Sequence, residues 1–267
     1  MAALTQPRPA PFDALAESYD QIFTDSLIGR AQRNATWRYL DRSFLPGQRV
    51  LELNCGTGVD ALHLAERSVQ VDAFDVSAAM IGVANRRPGS GRLPVRFEVL
   101  ATEDLGTIHS VYDGAFSNFG GLNCVQDLRP VAHNLARLVR PTGHVVLCLA
   151  SRFCFWETAW WLARGKPAKA FRRLRKGGVT AELIPGLVVH VQYPSLRELR
   201  RLFAPEFSLV AVHGIGLVVP PSYLEPHVRR FPSLLRAAAS LDRHFSSLPG
   251  LRGLADHVLL TFRRTPQ

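Results

Sequence analysis

The stretch Val50–Asp75, VLELNCGTGVDALHLAERSVQVDAFD, decides how the rest of the chain is read. It opens on Val50-Leu51-Glu52-Leu53, an apolar run of strand length led by a β-branched residue. The turn Asn54-Cys55-Gly56-Thr57-Gly58 follows, and Ala61, Leu62, Leu64 and Ala65 then mark one face of a helix. Val69–Phe74 reads as a second strand ending at Asp75. Strand, glycine turn, helix, strand and acid form the βαβ unit that holds nucleoside-like cofactors. Gly56 and Gly58 are expected to let the backbone approach a ligand where a Cβ would collide. Asp75 is placed to accept hydrogen bonds from both ribose hydroxyls.

Two cofactors fit that outline. Gly56-Thr57-Gly58-Val59-Asp60-Ala61 matches the G-x-G-x-x-A fingerprint of dinucleotide sites, which by itself is weak evidence. Two acids speak against a pyrophosphate. Glu52, in the first strand, is expected to face the crevice, and Asp60 occupies the positive end of the helix dipole that a pyrophosphate would use. S-adenosylmethionine carries an ammonium and a sulfonium and no phosphate, so the acids favour it.

The run LELNCGTG followed by AFDVSAAMI resembles motif I and the next acidic motif of class I S-adenosylmethionine-dependent methyltransferases. The resemblance covers about residues 12–150 well and the remainder loosely, and says little about the methyl acceptor. It implies an α/β fold: a doubly wound, mostly parallel, seven-stranded Rossmann-like sheet with the last strand antiparallel. Asn54 stands where that family usually has glycine; asparagine is the non-glycine residue that best tolerates a left-handed backbone. FDALAESYDQIF (12–23) resembles the segment that closes over the cofactor in small-molecule members, which implies Tyr19 as a lid residue; packing on the core is the plain alternative. Arg33 is a candidate for the cofactor carboxylate. Ala101-Thr102-Glu103-Asp104-Leu105 resembles the adenine-binding segment, with Ala101 replacing the first acid, so a side-chain role passes to Glu103 or Asp104 and Thr102 contributes backbone. Val76 and Asn118 complete the cofactor set.

The chain has 267 residues and nearly half of them are hydrophobic, enough for one large α/β domain with insertions. No stretch approaches the ~20 apolar residues of a membrane-spanning helix. The first residues, MAALTQPRPAPF, lack a signal-peptide core and read as an arm. Cys55, Cys124, Cys148 and Cys154 have neither zinc nor disulfide-scaffold spacing, which suits reduced thiols in a cytoplasmic protein. No metal cluster, serine nucleophile elbow or P-loop is evident. Residues 1–44 are expected to form a helical N-terminal cap, and 45–267 the core, with substrate-cap insertions at about 152–193 and 220–250.

Along the core, Ser77 is expected to cap a helix, Val95–Leu100 to form the third strand and Val111–Asn118 the fourth. Asp127 is expected to cap the helix after it, and His144–Ala150 to be the fifth strand. Leu187–Tyr193 reads as an extra strand, Ser195–Phe203 as a helix, Phe207–Val219 as the sixth strand, Ser233–Phe245 as a helix and His257–Arg263 as the final strand. Ser117-Asn118-Phe119-Gly120 lacks the prolines of the clamp that holds a flipped base, so nucleic acid is disfavoured. Phe119, Asn123, Trp156 and Tyr223 are candidate substrate contacts. His190 and Tyr193 are candidate catalytic groups, should the acceptor need a general base.

The formal net charge is +10, and residues 152–177 hold eight basic residues and one acid, Glu157. Tryptophans stand among them. The segment suits a solvated face over a packed lid, an acidic carrier protein or anionic substrate, or a membrane surface with a lipid or quinone acceptor. The reading that joins these signals is S-adenosylmethionine-dependent methyl transfer to an O or N atom of a small molecule, such as a secondary metabolite. The rivals are a lipid, quinone or carrier-bound acceptor, an NAD-dependent oxidoreductase, and a non-catalytic S-adenosylmethionine-binding regulator.

Overall fold

A computed structural model describes residues 10–184 and 187–266. Most of the N-terminal arm lies outside the described residues. Five strands come first: β1 Arg49–Leu53, β2 Gln70–Asp75, β3 Val95–Val99, β4 Tyr112–Ser117 and β5 Val139–Ala150. The long helices among them are α1 Leu27–Ser43, α2 Val59–Glu66, α3 Ala78–Arg86 and α4 Arg129–Leu138. A first insertion follows, with α5 Phe155–Leu162, α6 Pro167–Ala170 and an antiparallel ribbon of β6 Val179–Ile184 and β7 Leu187–Val191. Then come α7 Leu196–Phe203, β8 Phe207–Ile215, a second insertion with α8 Glu225–Val228 and α9 Pro232–Phe245, and β9 His257–Arg264.

The main sheet runs β3-β2-β1-β4-β5-β9-β8, with β1–β5 paired parallel and β9 antiparallel to both neighbours. This is the doubly wound, seven-stranded Rossmann-like sheet the sequence implied. The strand order reverses between β1 and β4, so their carboxyl ends open the crevice where α/β sheets bind ligands.

Both faces of the sheet are covered. Alternation along β1 sends Leu51 and Leu53 into a core with Leu135, Leu138, Leu199, Phe203 and Phe262, whereas Val50 packs with Leu40, Leu64, Phe116 and Val146. Glu52 shares the parity of Val50 and therefore turns toward the α1–α2 face.

Ser77 caps α3 as expected, its hydroxyl accepting from the Met80 N–H at 3.0 Å. Ser195 and Glu198 form a reciprocal capping box on α7. Helix α1 begins at the Ser26 cap, and the Glu225 carboxylate accepts from Leu27 and Ile28 N–H at 2.9 and 3.0 Å. An anion there complements the helix dipole and ties the second insertion to the N-terminal helix.

Several expectations need correction. Leu128, not Asp127, is the N-cap of α4; Asp127 instead accepts the Arg129 N–H at 2.9 Å and pairs with its guanidinium. β5 begins at Val139, because Thr142 adopts a left-handed backbone (φ 68°) that lets the strand absorb Pro141-Thr142-Gly143 as an irregularity. The extra strand pairs with β6, which the pattern missed, and not with the main sheet. β8 stops at Ile215: Gly216 turns left-handed (φ 74°), and the Val218 and Val219 N–H groups go to the Asp242 carboxylate. In place of a regular helix around Tyr19 there is a short 3₁₀ turn at Asp13–Leu15 and one π-helical turn at Asp20–Thr24.

Candidate active site

The glycine turn between β1 and α2 is shaped by three left-handed residues, Asn54 (φ 56°), Gly56 (φ 54°) and Gly58 (φ 78°). Asn54 holds that conformation with its side chain anchored: Nδ2 donates to Thr102 Oγ1 at 2.9 Å and Oδ1 accepts from Ser117 Oγ at 3.2 Å. The two glycines have different reasons to be glycine. A Cβ on Gly56 would meet nothing within 4 Å, so it would project into open cleft. A Cβ on Gly58 would lie 2.7 Å from the Phe97 ring and 2.9 Å from Ala84. Gly58 therefore serves helix–sheet packing, and the expectation that it makes room for a ligand is corrected.

Asp75 ends β2 with Oδ1 accepting from Ser77 N at 2.9 Å and Oδ2 from Gly56 N at 2.8 Å. Burial raises its pKa, with the Ser77 and Gly56 N–H groups opposing. Each oxygen keeps a lone pair, which leaves it able to receive a diol.

Behind the turn lies a buried polar cluster. Asp60 accepts from Arg33 Nη1 at 2.6 Å, Trp37 Nε1 at 2.6 Å and Asn118 Nδ2 at 2.9 Å. Arg33 is thus committed to Asp60. Its guanidinium lies 4.8 Å from the Phe119 ring centroid and 5.6 Å from that of Phe23, and its buried Nε has no partner among the described residues. Glu52 is fully buried, and its Oε2 also lacks a partner there. Burial first, then the Asp60 charge, pushes its pKa well above the carboxylate range, with Arg33 and the Ala61 N–H opposing. Glu52 stands behind the cleft wall, not in it.

A cleft of about 400 Å³ opens above this cluster. Its lining includes Phe12, Tyr19, Asn54, Gly56, Asp75, Val76, Thr102 and Glu103, together with Asn118, Phe119, Gln126, Val188, Val189 and His190. Burial raises the pKa of the Tyr19 phenol, Arg33 opposing. Phe119 has a left-handed backbone (φ 50°) and is packed by Phe23 and His257 at ring-centroid distances of 5.1 and 5.6 Å. An open glycine cradle and a ribose-competent acid on the cleft wall fit the uncharged diol of S-adenosylmethionine.

The other candidates fall elsewhere. His190 and Tyr193 are three positions apart on an extended segment, so they face opposite ways. His190 lines the cofactor cleft, bonded to Gly177 O at 2.8 Å. Tyr193 opens onto a second cleft with Arg152, Arg175, Lys176 and Arg201, and the Arg173 guanidinium lies 5.4 Å from its ring centroid. Asn123 is buried, donating to Ala150 O and Gln192 O at 3.2 and 2.6 Å and accepting from Ala150 N at 2.9 Å. Those bonds make it a staple between β5 and the ribbon. Trp156 donates to Leu217 O at 3.0 Å and lines a separate apolar groove. Tyr223 is largely exposed, and burial of its inner part raises the phenol pKa. The structure brings neither of these two into the cofactor cleft.

The basic segment is also redistributed. Arg173 is buried, pairing with Glu157 and Asp256 at 2.8 Å each, and Arg172 also binds Glu157. Arg164 stacks 3.3 Å from the Trp160 centroid, and Lys169 sits 4.8 Å from that of Trp161. Sequence reading missed the Glu157–Arg173–Asp256 network because its acids come from residues 16 and 83 positions away. It also missed Val188 and Val189, whose alternation with His190 was the available signal.

Fold and cleft together define a Rossmann-like domain for a nucleoside cofactor without phosphate. Residues 50–143 match a family model described as a methyltransferase domain. That match places a methyltransferase domain of the S-adenosylmethionine-dependent kind in this part of the chain, with S-adenosylmethionine as its cofactor. It is 33% identical over 143 residues to a demethylmenaquinone methyltransferase of Clavibacter sepedonicus, covering 52% of this chain and 56% of that protein. With a ubiquinone biosynthesis O-methyltransferase of Alkalilimnicola ehrlichii it shares 31% over 108 residues, 40% of this chain and 44% of the relative. The chain thus matches about half the length of these curated relatives. Among solved structures, a DhpI complex with S-adenosylhomocysteine superposes with TM-score 0.61 at 21% identity, covering 96% of this chain and 94% of the other. A geranyl diphosphate C-methyltransferase of Streptomyces coelicolor gives TM-score 0.56 at 16% identity, covering 99% and 88%. These two likenesses concern the fold.

Proposed function

We propose that the chain transfers a methyl group to an O or N atom of a small, partly apolar acceptor bound beside the cofactor. One observation supports this reading: a single cleft is lined by Gly56, Asp75 and Thr102 together with Phe119, Val188, Val189 and His190. At about 400 Å³ it lies at the low end of ligand pockets (roughly 300–1,000 Å³), room for the cofactor and a modest acceptor group.

When bound, the cofactor supplies an electrophilic methyl carbon and a thioether leaving group. The residues supply placement. Asp75 would take the ribose hydroxyls, and Gly56 would permit close backbone approach. Phe119 and the buried Val189 would shield the line of attack from water, which is where positioning and desolvation act. An O–H or N–H acceptor that took the methyl group would have to give up a proton.

His190 is the group available to receive that proton. Gly177 O can only accept, so Nε2 carries the hydrogen and Nδ1 keeps its lone pair. Tyr193 faces the other cleft and is assigned no role in the transfer.

Titration calorimetry with S-adenosylhomocysteine and with NAD tests the reading. Tight binding of the first alone supports it; binding of NAD alone overturns it in favour of an oxidoreductase. Cofactor binding without turnover on a panel of phenols, hydroquinones and amines would favour a regulator. A lipid or quinone acceptor is a second reading, supported by the relatives named for quinone methylation and by an apolar groove of about 410 Å³ between Trp156 and α9.

A further inference from the structure

Helix α9 has two apolar stripes where a surface helix needs one. Leu235 and the buried Asp242 face inward, with Leu235 packed against Ile28, Val219 and Leu224. About 100° around the helix lie Leu234, Leu241 and Phe245, at i, i+7 and i+11, which are 69%, 46% and 40% exposed. Phe231, just before the helix, is 60% exposed and shares the adjoining groove with Leu234 and Leu241. Scattered exposed apolar residues are ordinary; a continuous stripe beside a groove marks an interaction surface.

The charge around the stripe selects the occupant. Residues 226–254 hold five arginines and one acid, Asp242. That carboxylate is consumed by the Val218 and Val219 N–H groups. Arg229 and Arg230 stand exposed at the start of the stripe. Across the groove wall, Trp160 packs on His227 and carries Arg164 on its face. A second copy of this chain would bring the same cations, and a net charge of +10, against them. An anionic lipid surface offers both what the stripe and what the arginines need.

We propose that α9 and the Phe231 turn form a lipid-facing surface that seats the protein on anionic membranes. The site of membrane contact thereby moves to the second insertion from residues 152–177, where Arg172 and Arg173 are spent on Glu157 and Asp256. The proposal goes beyond the catalytic reading and stands or falls apart from it.

The test is flotation of the full chain with vesicles of neutral phosphatidylcholine, and of phosphatidylcholine with phosphatidylglycerol. Wild type is expected to float with the anionic vesicles only, and less at high salt. The exposed-residue variant Leu234→Ser/Leu241→Ser should lower binding about tenfold or more, and Arg229→Gln/Arg230→Gln should remove the preference for anionic lipid. Both should keep wild-type affinity for S-adenosylhomocysteine, which separates this outcome from any failure of the methyltransferase reading. Absence of wild-type flotation, or binding indifferent to both variants, overturns the proposal. A concentration-dependent dimer that Leu234→Ser/Leu241→Ser dissolves would overturn it too, by making a second copy the occupant.

Discussion

Gly56 and Gly58 stand two residues apart in one motif, yet alanine at each should fail in a different way. In Gly58→Ala the new Cβ sits 2.7 Å from two atoms of the Phe97 ring and 2.9 Å from Ala84, all on packed elements. Overpacking of this kind costs about 1–3 kcal/mol, and holding alanine left-handed at φ 78° adds about 1–2 kcal/mol. Together these predict a melting point lower by roughly 5–15 °C for a domain of this size, with cofactor affinity largely kept in the folded fraction. Gly56→Ala carries only the conformational cost, because nothing lies within 4 Å of its Cβ. Its melting point should drop a few degrees at most, while the methyl enters the cleft and S-adenosylhomocysteine affinity falls by about tenfold or more, at roughly 1.4 kcal/mol per decade. Differential scanning fluorimetry and calorimetric titration of both variants check the contrast. Phe97→Leu in the Gly58→Ala background should recover part of the lost stability and do nothing for Gly56→Ala. A Gly58→Ala protein as stable as wild type, or a Gly56→Ala protein with unchanged affinity, would refute the assignment of packing to one glycine and ligand approach to the other.

Replacing Glu52 by Gln should stabilise the cofactor-free protein at pH 8. A carboxyl whose folded pKa is raised loses stability as pH climbs from the ordinary carboxylate range toward the raised value, and the difference should vanish below the ordinary range, where both states are protonated; melting curves at pH 4 and pH 8 measure this. Arg173→Met should cost about 3–5 kcal/mol, because Glu157 and Asp256 stay buried without their shared cation; loss of melting temperature together with proteolytic nicking in the first insertion is the expected sign. His190→Asn should leave S-adenosylhomocysteine affinity unchanged and lower turnover on an oxygen acceptor by about 10² or more. Tyr193→Phe should leave both unchanged.

The cofactor half of the site was legible because its signals are local. One βαβ unit carries Asn54, Gly56 and Asp75 within 22 positions, and left-handed turns have few residue solutions. What the letters hid was direction. Glu52 was expected in the crevice, and strand parity turned it to the α1–α2 face. Asp60 reads as a free anion at a helix start, yet Arg33, Trp37 and Asn118, from 23 to 58 positions away, saturate it. The acceptor side was harder still. His190 and Tyr193 fall into separate clefts, which strand parity alone foretold once Leu187–Tyr193 was read as extended, and β6 was obscured because a two-stranded ribbon outside the main sheet has a weaker pattern to display. The basic segment shows the limit of counting charges: its most central cation, Arg173, is a buried structural residue.

The Glu225 carboxylate that closes the start of α1 reaches back 198 positions along the chain. At roughly 5–20 residues per second of synthesis, the N–H groups of Leu27 and Ile28 wait on the order of 10–40 s on the ribosome for their acceptor to exist. During that interval the first long helix has only Ser26 to hold its end, and Ile28 lacks the Val219, Leu224 and Leu235 surfaces that later bury it. The N-terminal third of this protein is thus a debtor to its C-terminal third in time as well as in space. Truncation within the second insertion should be felt first as a nascent chain recruiting chaperones at α1, far from the break.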